Sequence, residues 1–272
     1  TASRLLFAGL REPARLAAID PSSGRVLRTT PLPAPPRHLG MTPGGEVLVP
    51  AEDADELLRI SPRGDLTATV SVGDHPHDAA AAAGRVFVSN EFGDSVSVVQ
   101  GDRVTDTLDA PQQPGGIAAA GRYVAVVAVR ERTLEVYDAR TLASLGSTDA
   151  GEGPTHAISL GNSVLVSDTE GNALLRYRPA PHPRLLARAA VPGVPYGLAF
   201  DSRRRLVWVT LTALNRVEVL SVSGGRLRRV AQYPTVRQPN SVAVDPRTGT
   251  AFVAGRSAGS IERIPLGTGN SK

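Results

Sequence analysis

Two short series of residues in this chain have the types and spacing to do chemistry. Six segments open on a proline, and the second residues after it are His38, Asp78, Gly116, His156, Gly197 and Ser241. The first residues after it are Arg37, His77, Gly115, Thr155, Tyr196 and Asn240. Imidazoles and a carboxylate recurring at one place in successive segments are groups that hold a divalent cation or move protons near neutral pH. Three of the five histidines, His38, His77 and His156, fall in these two series. His75 directly precedes a proline, and His182 sits in a proline-rich turn at 179–183.

A second series is acidic: Glu52 with Asp53, Glu91, Glu131, and Asp168 with Glu170. Glu91 and Asp168 stand out, because each lies at or beside the position that ends a Val-Ser run. The resulting assignment gives His38 and His156 catalytic roles. His77, Tyr196, Asn240 and Arg37 bind ligand, and Asp78, Glu91 and Asp168 hold a divalent cation, either Ca, Mg or Zn. The other reading stays open: polar groups at loop ends are satisfied by backbone and water without any ligand, and charged loop tips are a common solvated surface feature.

What positions these residues is a repeat. The prolines at 36, 76, 114, 154, 195 and 239 are spaced by 40, 38, 40, 41 and 44 residues. After each comes the same cassette: a Gly- or Asp-bearing turn, a β-rich run, a polar loop, an alternating strand, a turn, and a last strand leading to the next proline. The clearest copy reads Val86-Phe87-Val88-Ser89-Asn90, then Ser95-Val96-Ser97-Val98-Val99, then Arg103-Val104-Thr105-Asp106-Thr107-Leu108. Four short strands per repeat of about 40 residues, with apolar residues alternating rather than recurring at helical spacing, describe a β-propeller blade. The segment before Pro36 adds three strands, at 4–9, 14–20 and 25–30, which brings the total to 26. The mean spacing of 40.6 divides 272 residues into 6.7 repeats. The expected fold is all-β, a seven-bladed β-propeller of four-stranded antiparallel blades occupying residues 1–272 as one domain, with six blades as the alternative.

The cassette hydrophobic-Val-Ser/Thr-Asn, polar loop, Val-x-Val, turn, strand and Pro-x-Gly resembles the YVTN-type propeller repeat, related in pattern to NHL-repeat and YncE-like surface and periplasmic proteins. Val88-Ser89-Asn90, Val166-Ser167-Asp168 and Val209-Thr210 stand where that family has Val-Thr-Asn. The resemblance spans nearly the whole chain and implies blade architecture more than chemistry, since similar propellers include binding proteins, scaffolds, sugar lactonases and a streptogramin lyase. It implies that the first strand of each blade lines a channel and that the proline segments lie at its mouth. The family's usual glycine after Pro-x stands as Gly116 and Gly197, whereas His38, Asp78, His156 and Ser241 replace it. His38 and His156 lie three blades apart; His38, His77 and Asp78 come from adjacent blades and make the better cluster.

Composition excludes several classes. There is no cysteine, so thiol catalysis, thiolate metal sites and disulfides are absent. A net charge of +4, with arginines scattered and Lys272 the single lysine, is no footprint for nucleic acid. A basic edge at 203–205, 226, 228 and 229 and the pair Tyr196 and Trp208 read as turn arginines and as packing. No phosphate-cradling loop, nucleophile elbow or membrane-length apolar run is present. The chain starts at Thr1 rather than methionine, and the expectation is a secreted, periplasmic or cell-envelope monomer whose upstream signal or anchor segment has been removed. Its channel-mouth loops are expected to bind a protein or small-molecule ligand. The alternative is a metal-assisted hydrolase or lyase, lactonase-like or streptogramin-lyase-like, and metal-free acid–base catalysis by His156 or His38 is a third reading.

Overall fold

The computed structural model describes residues 5–257 and 259–267. The β-rich cassettes fold as the alternation demands. Among the described residues there are 26 strands in seven antiparallel sheets, three-stranded at the two ends of the chain and four-stranded between them, every sheet in chain order. This is a seven-bladed β-propeller with almost no helix, a single short 3-10 turn at Glu52–Ala54 being the exception. No helix among the described residues is long and apolar enough to cross a membrane. The chain divides into two compact units, one of residues 1–131 with 137–144 and the other of 132–136 with 145–272.

Blade three shows why the sequence pattern yields this order. Its strands are Pro76–Ala82, Arg85–Asn90, Ser95–Gln100 and Arg103–Asp109. The first three are buried almost throughout and the fourth alternates toward solvent. A strand buried on both faces must be apolar along its length, whereas an outer strand keeps every second residue polar. Phe87, Val96 and Val98 pack on Ile117, Val124 and Val126 of the following blade. In the second unit Leu165 and Leu174 meet Leu198, Val207 and Val209 in the same way. Burying each such side chain contributes about 1.5–3 kcal/mol. Trp208 is fully buried in a cluster with Val217, Val242 and Val253, its ring stacked 5.7 Å from that of Tyr233.

The strands before Pro36 run Leu6–Arg11, Ala14–Ile19 and Val26–Pro31 against the expected 4–9, 14–20 and 25–30, and two boundaries have a physical reason. The first strand runs Leu6–Arg11 rather than 4–9, because its hairpin turns at Glu12-Pro13 and pairs Arg11 with Ala14; Arg4 lies outside the described residues. The first strand of blade two is only Gly40–Met41, four residues after its proline. Pro33, Pro35 and Pro36 have no N–H for a ladder, so the chain stays irregular until Gly40.

Every later proline segment opens on a β-bulge. Pro76 pairs with Asn90 and Asp78 with Ser89, which leaves His77 without a partner across the ladder. The same shift leaves out Thr155 between Pro154 and His156, and Asn240 between Pro239 and Ser241. A bulge takes one residue out of register and re-aims its side chain. The hydroxyl of the Val-Ser/Thr motif satisfies the backbone around it: Ser89 Oγ donates to the Gly115 carbonyl at 2.6 Å, and the N–H of Gly197 donates to Thr210 Oγ1 at 2.8 Å.

A second repeated device holds the residue before four of these prolines. Asp55, Asp94, Asn172 and Asn215 follow the second strands in the left-handed region, with φ of 55°, 45°, 50° and 51°. Asp and Asn tolerate that conformation better than other residues with a side chain. Their Oδ1 atoms accept the N–H of His75, Gln113, Val194 and Gln238 at 2.8–3.1 Å, each of these residues directly preceding a proline.

Candidate functional site

The site lies in the first unit, where the proline segments of blades two and three meet. Gly40 makes the approach close, since a Cβ there would stand 2.2 Å from the carbonyl oxygen of Ala79. The proline segments that precede these two residues carry the imidazoles of His38 and His77, whose ring centroids lie 5.0 Å apart. His77 is delivered by the bulge, and its Nδ1 lies 2.8 Å from Oε2 of Glu91, the residue that follows the second strand of the same blade. Glu91 is anchored through its own N–H, which donates to the His75 carbonyl. Its other oxygen, Oε1, accepts from Nε2 of Gln113 at 2.8 Å.

Glu52 occupies the matching place in blade two, following the strand Val47–Ala51 as Glu91 follows Arg85–Asn90. Its Oε1 accepts from Nε of Arg37 at 2.8 Å. Glu52, His77 and Glu91 are 2%, 6% and 8% exposed, and one potential ligand atom from each lies within 4.8 Å of the other two. Among the described residues this is the single group of three histidine or acidic side chains that converges in this way. Next in sequence to Glu91, Phe92 is 60% exposed, its ring centroid 4.4 Å from that of His75 and tilted by 31°.

The electrostatics of the two kinds of carboxylate differ. The hydrogen bond from His77 holds Glu91 down to about 2, with Gln113 and the positive charge of Arg37 acting in the same direction against desolvation. An ionised carboxylate only accepts, so Nδ1 of His77 is the donor in this hydrogen bond. Burial pushes Asp78 up to about 6, although the N–H groups of Ile117 and Ala79 donate to its two oxygens. Asp78 therefore ties blade three to blade four through backbone rather than facing the carboxylate pair.

The sequence candidates thus separate into two sets. Arg37, His38, His77 and Glu91 come together, with Asp78 adjacent. His156, Asp168, Tyr196 and Asn240 belong to the second unit. There Oδ1 of Asp168 accepts the N–H groups of Glu152, Gly153 and Gly171 at 2.9–3.0 Å, so it organises the incoming loop. The N–H of His156 donates to Ser167 Oγ at 3.2 Å. Sequence reasoning passed over Glu52 as a charged loop tip and did not single out Gln113. The signal for Glu52 was its spacing of 39 residues from Glu91, one repeat length.

No protein-family model matches the chain, and no curated protein sequence matches it. Solved structures do resemble it in fold. A functionally unknown protein from Desulfotomaculum acetoxidans superposes with a TM-score of 0.86 at 12% identity, covering 97% of this chain and 93% of that one. Virginiamycin B lyase from Staphylococcus aureus gives 0.79 at 15% identity, with 96% and 91% covered. A chain of the mitotic checkpoint complex gives 0.81 at 11% identity, with 96% and 84% covered. The chain shares the β-propeller fold with all three.

Proposed function

We propose that the protein is a binding β-propeller of the YVTN type, working outside the cytoplasm, that captures a small polar ligand where the proline segments of blades two and three meet. One observation carries this reading: donors and acceptors from two neighbouring blades, Arg37, His38, His77, Glu52 and Glu91, converge next to the exposed Phe92. Small-molecule sites fix the orientation of a ligand through a few placed polar groups. The fold is compatible with it, since propellers of similar shape include a lyase and a chain of a protein complex. Binding to nucleic acid has no support in the charge distribution.

The test is a thermal-shift screen of small polar compounds followed by calorimetry on any that stabilise. The expected result is a ligand whose affinity falls about 10-fold or more in Arg37→Ala and in His38→Ala, the cost of losing a charge-assisted or buried hydrogen bond. A ligand that binds both variants as it binds the wild type overturns the assignment.

A second reading, acid–base catalysis of an elimination or hydrolysis, draws on the His77–Glu91 hydrogen bond. A carboxylate that orients an imidazole leaves its second nitrogen as a general base. Its mark is turnover of a lactone or ester that disappears in His77→Ala.

A further inference from the structure

We propose that Glu52, His77 and Glu91 form a three-ligand site for a first-row divalent cation of the zinc class. The inference rests on the reading of this end of the blades as the ligand site and names what that site holds.

Glu52, His77 and Glu91 are 2%, 6% and 8% exposed, and one potential ligand atom from each lies within 4.8 Å of the other two. The guanidinium bonded to Glu52, that of Arg37, is itself 41% exposed, and Asp53 pairs outward with His75 at 3.6 Å. Buried acidic groups are stable when they are paired or when they coordinate a metal. A divalent cation at this point would engage both carboxylates and the imidazole at once.

Geometry and donor chemistry choose the class of ion. The candidate ligand atoms already lie within 4.8 Å of one another, so small side-chain rotations bring them onto one centre. Arg37 and Gln113 each engage Oε1 of their carboxylate, which orients Glu52 and Glu91 and leaves Oε2 in each as the coordinating atom. Outer partners of this kind commonly hold metal ligands in place. One imidazole nitrogen with two carboxylate oxygens suits zinc and its neighbours, whereas calcium and magnesium favour oxygen alone. Three protein ligands leave a coordination position for the small ligand.

Binding exchanges bonds in a defined way. The Nδ1–H···Oε2 hydrogen bond between His77 and Glu91 is replaced by one bond from each atom to the cation. The proton on Nδ1 moves to solvent if the ring was an imidazolium; if the ring was neutral, it leaves Nδ1 while solvent supplies one to Nε2.

The test uses the full chain produced without a histidine tag, stripped with chelator and titrated with Zn2+ and with Co2+, the latter followed by visible absorption. The expected result is one ion per chain, with binding weakened about 100-fold or more in His77→Ala and Glu52→Gln and about 10-fold in Gln113→Ala. His182→Ala, an exposed histidine in the second unit, should keep full uptake. If His77→Ala fails to fold, Glu52→Gln and Glu91→Gln carry the comparison. Wild-type protein that folds yet takes up no ion overturns the proposal, as does uptake unchanged in Glu52→Gln and Glu91→Gln. Ligand binding by a protein that takes up no ion overturns the metal while sparing the ligand site; stoichiometric metal without any ligand supports the metal and fails the other reading.

Discussion

Nδ1 of His77 stands 2.8 Å from Oε2 of Glu91, although His77 lies in the first strand of blade three and Glu91 follows the second, fourteen positions on. The meeting depends on the bulge: with His77 in register, its side chain would belong to the ladder between Pro76 and Asn90 and could not reach past the end of the second strand.

That contact predicts an acid sensitivity. Glu91 is held at about 2 against an ordinary 4.5, so its contribution is complete above the ordinary value and is lost as pH falls toward 2. The shift corresponds to about 3 kcal/mol. Urea unfolding of wild type and Glu91→Gln at about pH 7 and about pH 3 should show the variant less stable at the higher pH and the gap narrowing at the lower.

Asp78 should behave in the opposite sense. Burial raises it from 3.8 to about 6, so the folded state is favoured most below the ordinary value, and stability declines as pH rises toward 6. The amount is again about 3 kcal/mol. Asp78→Asn should abolish that slope between about pH 4 and pH 6, and an unchanged slope would assign it to another group.

Gly40→Ala places a Cβ 2.2 Å from the Ala79 carbonyl oxygen, a backbone atom that cannot move aside freely. The expected loss is about 1–3 kcal/mol, the usual cost of overpacking. Because the same contact brings His38 and His77 together, ligand or metal affinity should fall with it, measured by calorimetry beside the thermal midpoint.

Asn172 offers a comparison that separates strain from hydrogen bonding. Its Oδ1 accepts the N–H groups of Gly193 and Val194, and its φ is 50°. Asn172→Gly removes the acceptor while keeping the conformation, and Asn172→Ala removes both. Losses of about 1–2 kcal/mol for glycine, and up to about 1 kcal/mol more for alanine, are expected. Trp208 is the single tryptophan and lies buried in the same unit, so its fluorescence follows the transition.

The blades are legible in the sequence because proline spacing and alternation are local signals, repeated often enough to average out irregular copies. Val88-Ser89-Asn90 announces the end of a strand, and Ser89 turns out to be there for the bulge that it satisfies. The cluster at His38, His77 and Glu91 is legible for the same reason, being tied to repeat positions. Glu52 was not, since it follows Val47-Leu48-Val49-Pro50-Ala51, which lacks both the hydroxyl and the Asn that mark its counterparts. Gln113 and the Asx residues in the left-handed region escape notice because their roles depend on backbone φ and on partners some 20 residues away. Asp78 and Asp168 show the converse: sequence gives the carboxylate but cannot show that backbone N–H groups already occupy it.

The bulge after the later prolines has a consequence for how such a chain changes over time. Since the displaced residue takes no part in strand pairing, it is histidine in one blade, threonine in another and asparagine in a third, with the hydrogen-bond register on either side preserved. Folding constrains the flanking positions and leaves this one open, so each blade offers an interchangeable socket. A propeller built this way can acquire or discard reactive groups one blade at a time without renegotiating its architecture.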